Sequence, residues 1–85
     1  MPRRRAAPPP RPANLPPLPP GATTKAYYPA GDRVWYMQDE NDEGWTRGTI
    51  DPSTTSTRLH YVADDETGDV YAISVEYICL RASWD

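Results

Sequence analysis

Aromatic rings are the side chains of this sequence best suited to recognition chemistry. Five of them recur in the C-terminal part: Trp35, Tyr36, Trp45, Tyr61 and Tyr71. Rings arranged around a cation attract it through their quadrupoles, each contributing about 0.5–2 kcal/mol. Trp45 and the three tyrosines could therefore form a ligand cage, or they could fill a protein interior, since the chain contains no phenylalanine. Trp35 should point away from Tyr36 on a strand, where it could anchor a partner surface or lie under another part of the chain.

The inventory of reactive residues argues against catalysis. Acid–base or nucleophilic catalysis needs a base and a nucleophile held together, and the chain has one histidine, His60, and one cysteine, Cys79. Alternation along a strand predicts that His60 faces outward, and Cys79 is flanked by apolar residues as a small hydrophobe. A single histidine and a single cysteine also fall short of a structural zinc site. We therefore predict a protein that is not an enzyme, with no cofactor and no metal.

The first 25 residues differ in composition from the rest. They hold nine of the eleven prolines and five basic residues, but no acid and no aromatic ring. Such a segment buries too little apolar surface to offset its ordering entropy, so we predict a disordered, basic, proline-rich leader over residues 1–25. It could be a solvated spacer, or it could dock as a polyproline II helix on an SH3, WW or EVH1 domain. The candidate docking residues are Pro16, Pro17, Leu18, Pro19 and Pro20.

Charge and hydropathy restrict the partners of the remaining residues. Residues 26–85 carry four arginines against all twelve acids, a net charge of −8 that should repel a phosphate backbone. We therefore expect a protein partner and no direct contact between nucleic acid and the folded part. No apolar run approaches the length of a transmembrane segment, and the N-terminus lacks the apolar stretch of a signal peptide. The expected localisation is intracellular, cytoplasmic or cytoskeletal more than nuclear.

Short apolar segments separated by turn residues predict the fold of residues 26–85. The expected strands cover residues 33–37, 45–50, 57–62 and 70–73, and residues 75–80 form a last strand or a helical turn followed by a strand. Five such strands in so short a domain predict an all-β fold, a small five-stranded barrel preceded by the disordered tail. The expected core residues are Val34, Tyr36, Gly48, Ile50, Leu59, Tyr61, Val70, Ala72, Ile78 and Leu80.

The pattern of these strands resembles the SH3-like barrel superfamily. Val34-Trp35, an acidic loop, Trp45-x-x-Gly48-x-Ile50 and a closing Leu80-Arg81 are similar to the N-terminal SH3-like subdomain of myosin heavy chains. That resemblance implies a structural and protein-interaction module that packs against a motor core in cis, within an actin-based motor whose longer chain would be an ATPase. No phosphate-binding loop of the form G-x-x-x-x-G-K-[ST] occurs in these 85 residues.

A second resemblance is to Tudor domains. Gly31-Asp32, Gly44-Trp45-x-Arg47-Gly48-x-Ile50 and Leu59-x-Tyr61 follow their pattern, which implies a reader of peptides carrying methylated lysine or arginine. Tudor domains commonly place an aromatic residue after the third strand, where this chain has Ala63-Asp64-Asp65-Glu66. A third hypothesis makes the chain an adaptor that acts through its proline-rich leader.

Overall fold

The architecture is a single antiparallel sheet of five short strands with almost no helix. The computed structural model describes residues 15–38 and 44–84. The sheet order is β4-β3-β2-β1-β5, so that β1 lies between β2 and β5, and a 3-10 turn precedes β5. The predicted number of strands and the all-β character are confirmed. The elements are β1 Arg33–Tyr36, β2 Thr46–Ile50, β3 Leu59–Asp64, β4 Val70–Ser74, the 3-10 turn Val75–Tyr77 and β5 Ile78–Leu80.

The side chains of β1, which lies between β2 and β5, alternate between the two faces of the sheet. Val34 and Tyr36 are buried on the core side, whereas Trp35 between them points to the opposite side and is half-buried. Tyr36 pairs with Thr46 of β2 and Ile78 of β5, so its ring starts from a strand that has a neighbour on each side. The buried cluster around it comprises Tyr28, Val34, Tyr36, Ile50, Val62, Ile73, Val75 and Ile78.

The core prediction is wrong on β3 and β4. Leu59, Tyr61 and Val70 are 40%, 37% and 48% exposed, and Ala72 is exposed as well. Each of these strands buries the alternate set of side chains. Successive side chains of a strand point to opposite faces of the sheet. An error about which face is buried therefore reverses the predicted burial of every residue in the strand.

His60 is the residue that the alternation places inside, and the prediction that it faces outward is also wrong. It is fully buried and lies opposite Ile73 of β4. Its Nε2 accepts a 3.1 Å hydrogen bond from the backbone N–H of Tyr28, which satisfies that buried donor, and the Tyr27 ring centroid lies 5.2 Å from the imidazole. Desolvation lowers the pKa of His60, so the neutral ring is the form that packs here.

Residues 15–24, called here the leader segment, lie against the sheet. Thr23 and Leu80 exchange two backbone hydrogen bonds of 3.1 and 2.7 Å, which adds a bridge along β5. Before it, the N–H of Ala22 donates to the carbonyl of Pro19, and Gly21 supplies the positive φ of 78° that this turn requires. The predicted disordered leader spans residues 1–25, of which residues 1–14 lie outside the described residues. No helix within the described part of the chain is long and apolar enough to span a membrane.

Candidate functional site

A cleft of about 510 Å³ opens where β1 and β3 end and where β2 and β4 begin. Tyr36 is the last residue of β1, Asp64 is the last residue of β3, Trp45 directly precedes β2, and Tyr71 is the second residue of β4. Its volume falls in the range of sites that take a small ligand or a single side chain. The lining residues are Tyr36, Gln38, Gly44, Trp45, Thr46, Asp64 and Tyr71.

Gly48 allows the Tyr36 ring to cross the sheet toward this cleft. A Cβ atom on Gly48 would lie only 2.9 Å from Cδ1 of Tyr36, so the ring passes directly over the glycine of β2. Gly48 is itself paired with Asp64 of β3. The crossing brings the Tyr36 ring onto Tyr71, with centroids 6.2 Å apart and planes inclined by 29°. Two stacked rings therefore form one part of the cleft wall.

Asp64 places a negative charge beside these rings. Its Oδ2 accepts a 2.7 Å hydrogen bond from the Tyr36 hydroxyl, and its Oδ1 accepts from the backbone N–H groups of Glu66 and Thr67 at 2.8 and 3.0 Å. The Tyr36 hydroxyl and then the Thr67 backbone hold the pKa of Asp64 below its ordinary value. Asp64 is consequently ionised at neutral pH, and a carboxylate in a cleft that is also lined by aromatic residues favours a cationic ligand.

Trp45 belongs both to the cleft and to the contact with the leader segment. The indole ring lines the cleft, and its Nε1–H donates a 3.1 Å hydrogen bond to the carbonyl oxygen of Pro17. Pro17 is one of the five predicted docking residues. The other four flank it within the leader segment, where Pro16, Leu18 and Pro19 are half-buried and Pro20 is exposed.

The structure brings together three of the five aromatic candidates, Tyr36, Trp45 and Tyr71. Tyr61 lies on the exposed face of β3 opposite Ala72, away from the lining of the cleft. Trp35 points to the other side of the sheet, where the guanidinium carbon of Arg47 lies 5.1 Å from its ring centroid.

Asp64 is the functional candidate that sequence reasoning did not single out. In the sequence it is one of several acids in a turn-forming stretch, and such acids are usually solvated. The available signal was its position at the end of a strand opposite a glycine, which becomes informative only when the pairing of β2 with β3 is known.

In the part of the chain that the structure describes, the remaining reactive side chains do not gather into a second site. His60 and Cys79 are both fully buried, and neither lines the cleft. Within residues 15–38 and 44–84, no three side chains of the histidine, cysteine, aspartate and glutamate types are grouped so that they could hold a metal ion.

Comparison with known proteins returned no match. No protein-family profile matches the chain, and no significant match was found among curated proteins or among solved structures. Nothing in these comparisons identifies a myosin SH3-like subdomain, so packing against a motor core stays a prediction, as does the cytoskeletal localisation.

Proposed function

We propose that this chain is a non-catalytic binding module that takes a methylated lysine or arginine side chain of a partner protein into the cleft. The observation that carries the proposal is the juxtaposition of the stacked Tyr36 and Tyr71 rings, the Trp45 ring and the Asp64 carboxylate. A methylated ammonium or guanidinium is large, weakly hydrated and positively charged. Ring faces attract such a cation, and a nearby carboxylate adds a charge that water and salt only partly screen.

The fold supports the same proposal. The first strand pairs with the last, and the other three antiparallel pairings join consecutive strands. This arrangement is compatible with a small SH3-like barrel of the Tudor type. Asp64 belongs to the stretch of residues 63–66, where the Tudor pattern has an aromatic residue. The proposed cage therefore has three aromatic walls and one acidic wall.

A titration series with short basic peptides tests the proposal. The peptides are identical except for one lysine or arginine that is unmethylated, monomethylated, dimethylated or, for lysine, trimethylated. We expect saturable shifts of the Trp45 indole N–H resonance and of the Tyr71 ring resonances, and tighter binding of the methylated peptides. Trp45→Ala should abolish binding, and Tyr71→Ala should weaken it about 2- to 30-fold, since one ring contributes about 0.5–2 kcal/mol.

Tyr61→Ala is the matched control. It removes a tyrosine from the neighbouring strand that is exposed and does not line the cleft, so the affinity should not change. Asp64→Asn should weaken binding and flatten its salt dependence, because it removes the charge but keeps the side-chain shape. The proposal is overturned if no methylated peptide shifts a cleft resonance, or if Tyr61→Ala and Tyr71→Ala weaken binding equally.

A further inference from the structure

A hydrogen bond joins the indole of Trp45 to the backbone of Pro17 in the leader segment. An indole N–H can only donate a hydrogen bond, and the carbonyl groups of a proline-rich extended segment have no partners within their own helix. In this structure the Trp45 Nε1 atom lies 3.1 Å from the Pro17 carbonyl oxygen, to which its N–H donates. Proline-rich ligands commonly dock on aromatic surfaces, because their preformed helix loses little entropy on binding.

The leader segment is held beside Trp45 by a separate anchor. Only five residues separate Pro17 from Thr23, and Thr23 is fixed to Leu80 by two hydrogen bonds. Between them, Gly21 lies under the Trp84 ring, so closely that a Cβ atom would come within 2.4 Å of Cζ2. The connection between Pro17 and Thr23 is therefore short, and its C-terminal end is fixed to β5.

We propose that the surface at Trp45 is a polyproline-binding site, and that its resident ligand is the segment of residues 15–20 of the same chain. A ligand tethered by a short linker is present at an effective concentration in the millimolar range, so it should outcompete a free proline-rich peptide. This site recognises a carbonyl and apolar rings, not a cation. The proposal stands independently of methylated-residue binding in the cleft.

The test uses a variant of the full chain in which the docking of residues 15–20 at Trp45 is weakened. The hydrogen bonds that fix Thr23 to Leu80 are kept. Replacing Pro16, Pro17 and Leu18 by glycine removes the stiffness and the side chains that favour docking, while the turn at Gly21 and the Thr23 bridge remain. The probe is a synthetic peptide of residues 14–21, which contains no basic residue. Its binding is followed by the indole N–H resonance of Trp45.

We expect the peptide to shift the Trp45 resonance of the triple-glycine variant saturably, and to bind the unmodified chain at least about tenfold more weakly. Adding Trp45→Phe to the triple-glycine variant should abolish this binding, because phenylalanine keeps an aromatic ring but has no N–H. Since this variant lacks the indole resonance, its binding is followed by the backbone amide resonances of residues 44 and 46. Adding Trp84→Phe is the matched control, since the indole N–H of Trp84 is not the donor to Pro17 and binding should persist.

Three results would overturn the proposal. In the first, the triple-glycine variant is folded but the peptide does not shift its Trp45 resonance. In the second, the peptide binds the variant and the unmodified chain with equal affinity. The third comes from the unmodified chain alone: absence of nuclear Overhauser contacts between the Trp45 indole N–H and the protons of Pro17 and Leu18. That measurement decides the matter even if the variant fails to fold.

Because the peptide carries no cation, a negative result here leaves the methylated-peptide titration unaffected, and the reverse also holds.

Discussion

The hydroxyl of Tyr36 donates a 2.7 Å hydrogen bond to the carboxylate of Asp64, which joins the end of β1 to the end of β3 across the intervening strand β2. The bond is possible because Gly48, between them, has no side chain. It holds the ring and the charge in a fixed relation at the cleft. The same bond is the largest cause of the lowered pKa of Asp64.

Replacing Tyr36 by phenylalanine should therefore destabilise the fold by about 1 kcal/mol at pH 7, the usual net contribution of a partly solvated hydrogen bond. The pKa of Asp64 should rise toward its ordinary 3.8. Because the folded-state pKa is lowered, this stabilisation is present above pH 3.8 and is lost as the pH falls through the folded pKa. Urea unfolding at pH 7 and below pH 3, with a carboxyl titration by NMR, measures both effects. Tyr71→Phe is the control, since its hydroxyl lies 3.5 Å from the exposed Asp69, and an equal loss in both variants would contradict the prediction.

Gly48→Ala should destabilise the fold by about 1–3 kcal/mol, the usual cost of overpacking. The added Cβ would lie 2.5 Å from Cγ1 of Val62 and 2.9 Å from the Tyr36 ring, and both neighbours are buried. Gly44→Ala is the matched control, because nothing lies within 4 Å of its Cβ position. Thermal and urea unfolding of the two variants should differ clearly. Equal stability would mean that the Tyr36 ring does not cross at Gly48.

Stability should fall as the pH drops below 6.5, because His60 has a pKa lowered by burial in the folded state. Below its ordinary pKa of 6.5 the unfolded chain binds a proton that the folded chain resists, so the free energy of unfolding decreases until the folded histidine also titrates. Protonation of Nε2 would also remove the acceptor for the Tyr28 N–H. Urea midpoints measured from pH 7.5 to 5.5 should decline more steeply for the unmodified chain than for His60→Gln. Parallel profiles, or a His60 resonance titrating at or above 6.5, would contradict this explanation.

The ion pair of Arg81 and Asp65 should respond unequally to loss of its two partners. The Arg81 side chain is 1% exposed and Asp65 is 33% exposed, with 3.0 Å between Nη2 and Oδ2. Asp65→Ala leaves a buried guanidinium without its counter-charge and should cost about 2 kcal/mol, reduced from the fully buried case by the exposure of the carboxylate. Arg81→Met removes the charge but keeps the apolar stem, so it should cost less. Urea unfolding of both variants in one buffer tests the order, and the reverse order would contradict it.

The sequence by itself determined the number and approximate position of the strands. Each apolar segment is too short for a helix of useful length and is bounded by residues that favour turns, so local chemistry decides the element. The alternation of Val34, Trp35 and Tyr36 likewise predicted which side chains β1 buries, because successive side chains of a strand point to opposite faces. The aromatic residues that could form a cage were also identifiable from their type alone.

The tertiary structure decided which face of β3 and β4 is buried, and which rings meet. Leu59 and Tyr61 are more hydrophobic than His60, so hydropathy alone favoured the wrong face; burial of His60 depends on an N–H of Tyr28, 32 residues away, that needs its Nε2. Asp64 acquired its place in the cleft only through a glycine on β2 and a hydroxyl on β1. These choices rest on contacts between residues distant in the chain, and no local pattern encodes the partner that satisfies a buried polar group.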